Sequence, residues 1–347
     1  MPRYTVCSSM NKATRLHNLS ESCWYGRSLL STVLLPFAWL FTVFAALRRW
    51  AYSAGLVATV KTDVPVIVVG NITAGGTGKT PVVAWLALEL ARRGYRPGVV
   101  SRGYGGSVGD SAQLVTASST VAECGDEPVL LARLAECPVA VSRDRVAAVK
   151  KVCEQGVDVV IADDGLQHYR LHRDVEIAVV DGQRLFGNGR RLPAGPLRES
   201  PQRLDSVDAV LFNGGEEAEA GLNFSLRVTD AVRLDGSETR PLSAFAGTSV
   251  WGVAAIGNPR RFYSALRGHG IQVHETSVAD HGVLDLPSLM VKKVMPVFMT
   301  EKDAVKYTPA ESLDVWYVPA VLDISEAAAT ELLDIVMGKL PAKTEYA

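Results

Sequence analysis

The chain has 347 residues, room for about two domains of ordinary size, and its 36 lysines and arginines against 37 aspartates and glutamates leave a net charge of −1. So even a balance excludes bulk electrostatic attraction to nucleic acid, and any recognition of charge must be local. The five cysteines, Cys7, Cys23, Cys124, Cys137 and Cys153, contain no C-x-x-C pair, which argues against a disulfide framework or a zinc site and reads as free thiols in a reducing compartment.

Residues 1–23 are polar and unpatterned and are expected to be a loose tail or an overextended start. From Ser28 to Leu47 the run SLLSTVLLPFAWLFTVFAAL then carries no charge for twenty residues, which as a helix is about 30 Å, the hydrocarbon thickness. It belongs in or on a membrane, and Arg48-Arg49-Trp50-Ala51-Tyr52 closes it with the cations and aromatics of an interfacial anchor. Pro36 weakens a straight spanning helix, and basic residues at both ends leave its orientation open. Residues 24–56 are expected to form this membrane-associated helix.

From Val64 the pattern changes to short β-branched runs alternating with helical stretches, the mark of a parallel sheet covered by helices. Strands are expected at Val66–Val69, Gly98–Ser101, Val139–Ser142, Val157–Ala162, Glu176–Val180 and Ala209–Phe212, with helices at Pro81–Arg93, Glu127–Ala135 and Arg143–Gln155. Residues 57–221 form one α/β domain on this reading. Leu222–Val228 alternates like an antiparallel connector. A second α/β series follows, with strands near Val250–Ile256, Ile271–His274, Val297–Thr300 and Trp316–Val318 and helices near Pro259–Arg267 and Ala327–Met337, so residues 222–347 are expected as connector and second domain.

The chemistry centres on Gly70-Asn71-Ile72-Thr73-Ala74-Gly75-Gly76-Thr77-Gly78-Lys79-Thr80, a glycine-rich turn between a buried strand and a helix. Such a turn aims unpaired backbone N–H groups at one point, where a phosphate chain fits. Lys79 would reach the outer phosphates and the Thr80 hydroxyl would ligate Mg²⁺. The strict Walker A spacing wants glycine where Thr73 stands. The run Val159-Val160-Ile161-Ala162 ending in Asp163-Asp164 would bring carboxylates to the same sheet edge, where a P-loop enzyme holds its metal, although Asp also ends strands simply because it starts turns. Gly125-Asp126-Glu127-Pro128 reads either as a helix cap or as a general base for an acceptor hydroxyl. Asp280-His281 is open in the same way between a structural histidine and a partner for that base. Two Arg/Gly stretches, Ser101–Gly106 and Asn188–Glu199, read as surface turns or as anion contacts.

These residues resemble one family, the tetraacyldisaccharide 4'-kinases, the lipid A 4'-kinases of Gram-negative bacteria. The resemblance rests on VVGNITAGGTGKTPVV, VVSRGYGG, GDEPVLLAR, ADDGLQHYRLHRDVEIAVVDG, FGNGRRLPAGPLRE and MTEKDAVKY, in that order, and covers the chain from about Trp24. It implies a P-loop NTPase-like fold of two α/β/α units joined by a two-stranded connector, with an N-terminal membrane helix. It further implies transfer of the γ-phosphoryl group of ATP, with Mg²⁺, to the 4'-hydroxyl of a tetraacylated disaccharide 1-phosphate, giving lipid IVA at the cytoplasmic face of the inner membrane. Thr73 would then be a family variant of the loop. Residue by residue, Lys79 and Thr80 match the phosphate-loop pair, Asp163 and Asp164 the metal-side carboxylates, Asp126 the base and His281 its supporting histidine. Glu127, Gln167, His168, Arg198 and Glu199 fall in matching site motifs. The partners implied are the acylated lipid and the bilayer, with no nucleic acid and no obligate protein. A membrane-tethered P-loop ATPase switch acting on a protein is the rival reading, although it has no need of so many site-like loops beyond the phosphate site.

Overall fold

A computed structural model describes residues 22–26, 28–116, 118–215, 221–276, 278, 282–286, 295–308 and 314–341. The apolar N-terminal run is two helices, α1 (Leu29–Val33) and α2 (Leu35–Ser53), where one was expected. Ser28 caps α1, its hydroxyl accepting from Leu30 N, and Pro36 in the first turn of α2 fits a helix restart, where its missing N–H costs nothing. No helix among the described residues is long and apolar enough to cross a membrane.

The strands that follow are β1 (Val66–Gly70), β2 (Pro97–Ser101), β3 (Gln113–Leu114), β4 (Val139–Val141), β5 (Val159–Asp163), β6 (Val175–Asp181), β7 (Ala209–Asn213) and β8 (Leu222–Arg227). A second group comprises β9 (Asp230–Arg233), β10 (Thr239–Pro241), β11 (Ser249–Val253), β12 (Gln272–Thr276), β13 (Val297–Thr300) and β14 (Val315–Val318), after which β15 (Val321–Ile324) returns to the first. The larger sheet has nine strands in the order β15-β8-β7-β6-β1-β5-β2-β4-β3, and the smaller has six in the order β10-β9-β14-β13-β11-β12. Strands β8 to β4 run parallel, and β3 and β15 close the two edges antiparallel. Every residue of β1, β2, β4 and β5 is buried, as continuous Val/Ile runs covered on both faces require.

Helix α3 (Lys79–Arg92) lays Val82, Val83, Leu86 and Leu90 on one face of the large sheet. Each such aliphatic side chain, fully buried, contributes about 1.5–3 kcal/mol. Helix α4 (Asp126–Leu134) adds Leu131 to the same core, and α5 (Arg145–Cys153) covers the opposite face with Val146, Val149 and Val152. In the second unit α6 (Pro259–Gly268) packs Phe262, Tyr263 and Leu266, and a single turn α7 (Glu301–Ala304) follows β13.

The expected division at residue 221 needs correction. Strands β8 and β15 form the two-stranded antiparallel pair, but that pair is the edge of the first sheet. The last helix, α8 (Glu326–Met337), sets Leu332, Leu333 and Val336 into the core that holds Leu86 and Leu90. The second unit is therefore β9 to β14 with its helices, inserted between two segments of the first. An amphipathic pattern shows that a helix buries one face; it does not say against which sheet.

Candidate active site

The phosphate loop leaves β1 where the sheet order reverses, with β5 on one side and β6 on the other, the switch point at which α/β sheets open a crevice. Gly78 ends the loop in the left-handed region at φ 93°, and a Cβ there would lie 2.4 Å from the Asn213 amide, so this position admits only glycine. Thr73 has no such need. Its backbone bridges antiparallel to Leu197, and Ala74 N donates to Pro196 O at 2.7 Å, extended pairing that suits a β-branched residue. The loop is thus stitched to the second Arg/Gly stretch.

Lys79 begins α3, and its Nζ lies 3.5 Å from Asp164 Oδ1. Arg198 grips the same carboxylate at 3.1 and 2.9 Å. Burial works against ionising Asp164, but these cations overcome it and hold the carboxyl well below its usual range. Asp164 keeps φ at 49°, an uncommon conformation for a residue with a side chain and one that concentrates at functional sites. Asp163 differs. Its Oδ2 accepts from Ser101 Oγ at 3.1 Å, while Oδ1 is buried with no hydrogen-bond partner among the described residues. Burial first, then the Glu127 charge, push its pKa up to about 7.

A cleft of about 1260 Å³ joins these groups. Thr73 does not line it, but Ala74 to Thr80, Asp163, Asp164 and Glu127 do, together with Gln167, Arg198 and Glu199. Gln167 donates to Asn71 O at 3.0 Å and to Glu199 Oε1 at 2.7 Å, and Tyr169 donates to Glu199 Oε2 at 2.7 Å, so a buried carboxylate holds the wall together. Both Arg/Gly stretches reach the cleft, through Arg102 and Tyr104 and through Arg191 and Arg198. Their reading as surface turns alone does not hold.

Two further expected residues stand apart. Asp126 is 2% exposed and lies beneath the lining, beside Lys306 at 3.5 Å. It is not the helix cap either, for Gly125 holds that position, and Asp126 Oδ1 accepts from Glu127 N within the first turn. His168 does not line the cleft; burial and the nearby Arg145 charge lower its pKa to about 4. His281 lies outside the described residues.

Sequence reasoning missed Arg145. It stands at the start of α5, is 3% exposed and lines the cleft, and its Nη2 donates to Asp163 O at 2.5 Å. Its Nε and Nη1 are buried with no partner among the described residues. Burial brings its pKa down to about 10, with Asp163 and Asp164 opposing, so it stays charged at neutral pH. The signal was its place just past β4, on the ligand edge of the sheet.

From the other side, α2 contributes Phe41, Phe44, Ala45, Arg48 and Arg49 to the cleft. The Asn188–Glu199 loop docks this segment: Ser31 Oγ donates to Ala194 O at 2.5 Å, Trp24 Nε1 to Pro193 O at 3.0 Å, and Arg190 Nη1 to Ser31 Oγ at 2.9 Å. Much of the helix surface is open, with Phe37 59%, Trp39 66%, Leu40 59% and Leu47 57% exposed. So large an apolar patch marks a lipid or protein surface.

Residues 30–337 match the family model described as tetraacyldisaccharide-1-P 4'-kinase. The chain is 45% identical over 329 residues to the tetraacyldisaccharide 4'-kinase of Aeromonas salmonicida, covering 93% of this chain and 97% of that one. It is 44% identical over 316 residues to that of Methylobacillus flagellatus, covering 90% and 94%. A crystal structure of LpxK from Aquifex aeolicus in complex with ATP superposes with a TM-score of 0.74 at 27% identity, covering 90% of this chain and 100% of the other. The chain therefore belongs to the tetraacyldisaccharide 4'-kinase family, ATP-dependent enzymes that phosphorylate a lipid A precursor at its 4'-hydroxyl.

Proposed function

We infer that the cleft runs this reaction with ATP on the phosphate loop and the acceptor sugar entering from the side of α2. The observation that carries the reading is the meeting of Lys79 and the Asp163-Asp164 pair at one sheet edge, with Lys79 3.5 Å from Asp164 and one Asp163 oxygen left unpartnered. Phosphoryl transfer is a problem of positioning and charge. Lys79 and the loop amides from Gly75 to Thr80 hold the outer phosphates and stabilise charge on the equatorial oxygens. Thr80, Asp163 and Asp164 suit Mg²⁺, because the spare Asp163 Oδ1 is a hard acceptor in want of a partner. No set of three or more metal-binding side chains occurs among the described residues, as befits an ion that completes its shell from phosphates and water. Bound there, Mg²⁺ would supply positive charge to the transferring group.

Asp126 takes the acceptor proton, His281 supports it, and Gln167, Arg198 and Glu199 shape the wall where the sugar lies. His168 supports that wall from behind. Because Asp126 lies beneath Glu127, the first turn of α4 must yield as the acceptor arrives; catalytic contacts in ligand-free enzymes are often looser than in the working complex. Glu127 lines the cleft itself and is the second candidate for the base. The test is transfer of label from [γ-³²P]ATP to the tetraacyldisaccharide 1-phosphate. Asp126→Ala is expected to lose about a hundredfold in turnover, within the range for general bases. Near-normal turnover would move the role to Glu127.

The open apolar face of α1 and α2 lies in the cytoplasmic leaflet interface, so the acyl chains remain in the bilayer while the headgroup enters the cleft. A Phe37→Asp/Leu40→Asp variant is expected to bind vesicles at least about tenfold more weakly, since each side chain gives up roughly 1.5–3 kcal/mol of burial in lipid. Vesicle sedimentation measures this, and unchanged binding removes α2 as the anchor.

A further inference from the structure

Two lysines of the second unit reach across to the two carboxylates at the start of α4. Lys302 Nζ, on α7, lies 2.9 Å from Glu127 Oε1, and Lys306 Nζ, in the turn just past α7, lies 3.5 Å from Asp126 Oδ2. The Lys306 and Asp126 side chains are 1% and 2% exposed. Burying two ions costs several kcal/mol each before pairing, and apolar residues in their place would hold two faces together as well or better. An interface that needed only adhesion would not be built this way.

The second unit fixes the lysine independently of Asp126. Lys306 lies 2.7 Å from Asp303 Oδ1 and donates to Gly282 O at 3.2 Å. Asp303 is held in turn through its other oxygen, which accepts from Ala255 N at 3.0 Å and Thr300 Oγ1 at 2.6 Å. The ammonium thus has an anchored position on one unit while the carboxylate it meets belongs to the other. Glu127 is similarly placed: burial disfavours its charge, but Lys302 and then Lys79 restore it, leaving its pKa below the ordinary value.

We propose that Lys306 and Lys302 are positioning residues that hold Asp126 and Glu127 in place for reaction from the second unit, so that the contact between the units sets the two carboxylates. This rests on Asp126 acting as the base. Lys306 acts through Asp126, and Lys302 through Glu127.

Double-mutant cycles on the full-length enzyme, with ATP and tetraacyldisaccharide 1-phosphate in mixed micelles, separate this from a structural role. Lys306→Met is expected to lower kcat about thirtyfold with both KM values within about threefold of wild type, and to cost less than about twofold more when added to Asp126→Ala. Lys302→Gln is expected to lower kcat about tenfold, a loss that vanishes in the Glu127→Gln background. Lys302 is 16% exposed at its side chain, so this second cycle decides the matter if Lys306→Met fails to melt cooperatively. Losses that persist undiminished in the carboxylate variants, losses in KM alone, or no loss overturn the proposal. Near-normal turnover of Asp126→Ala alone would instead overturn the base assignment, so the two failures are told apart.

Discussion

Lys79→Met is expected to reduce phosphoryl transfer about a thousandfold, or about 4 kcal/mol of transition-state stabilisation, at the upper end for removing one preorganised charge from a dry site. The Lys79 side chain is 10% exposed and sits at the N-terminal end of α3, where the helix dipole adds to its charge. The folded protein should suffer far less. Arg198 still grips Asp164 at 2.9 and 3.1 Å, so that carboxylate keeps its charge and its partner. A thermal melt within a few degrees of wild type, beside a collapsed kcat, is the expected pair of results; kcat within about tenfold would remove Lys79 from the transition state. Lys79→Arg is not conservative, because a planar fork cannot occupy the place of a compact ammonium.

The parts of this site that were legible in the sequence share one property: their function and their local structure demand the same residues. Gly78 must be glycine for both turn and phosphate, and Val66–Val69 must be β-branched to be buried on both faces. Parallel strands at the sheet centre could be read for that reason. The peripheral antiparallel strands could not. Asp230–Arg233 and Thr239–Pro241 are short and half-polar; they pair with each other as neighbours, but what ties them into the sheet is the pairing of β9 with β14, far along the chain. The same holds for Val321–Ile324, which alternates exposed and half-buried against β8 and gives no hint that the chain has come back to the first sheet.

In the site itself, residues whose role depends on tertiary contact stayed hidden. Thr73 departs from the strict phosphate-loop spacing and read as a family variant, but the reason for a β-branched residue there, its pairing with Leu197, is a tertiary contact. Asp126 read as a cap or a base from its local sequence and as the base from the resemblance, and neither reading pointed to Lys306 of the other unit, 3.5 Å from its carboxylate. Lys302 and Lys306 stand in the MTEKDAVKY motif, but a motif does not say which carboxylates of the other unit its lysines meet.

Arg145 is the remaining case, and its expected behaviour reverses the usual one for a buried charge. Removing a paired, buried arginine normally destabilises a protein by several kcal/mol. Here only Nη2 has a partner, Asp163 O at 2.5 Å, while Nε and Nη1 are buried with their hydrogens unmet among the described residues. Each unmet donor costs about 1–3 kcal/mol, so the free enzyme carries Arg145 at a loss that a phosphate oxygen in the cleft would recover. Arg145→Ala should therefore leave the melt of the free enzyme within about 3 °C of wild type, the lost hydrogen bond and the relieved donors nearly offsetting. In the presence of ATP the balance changes, and the variant should lose most of the stabilisation that ATP gives the wild type. Turnover should fall about a thousandfold, the lower end for an arginine that meets transferring phosphoryl oxygens, and Arg145→Lys should recover less than about a tenth of it, having charge without the fork. Turnover within about fivefold of wild type, or a free enzyme that melts many degrees lower with its ATP response intact, would make Arg145 a structural counter-charge for Asp163 and Asp164.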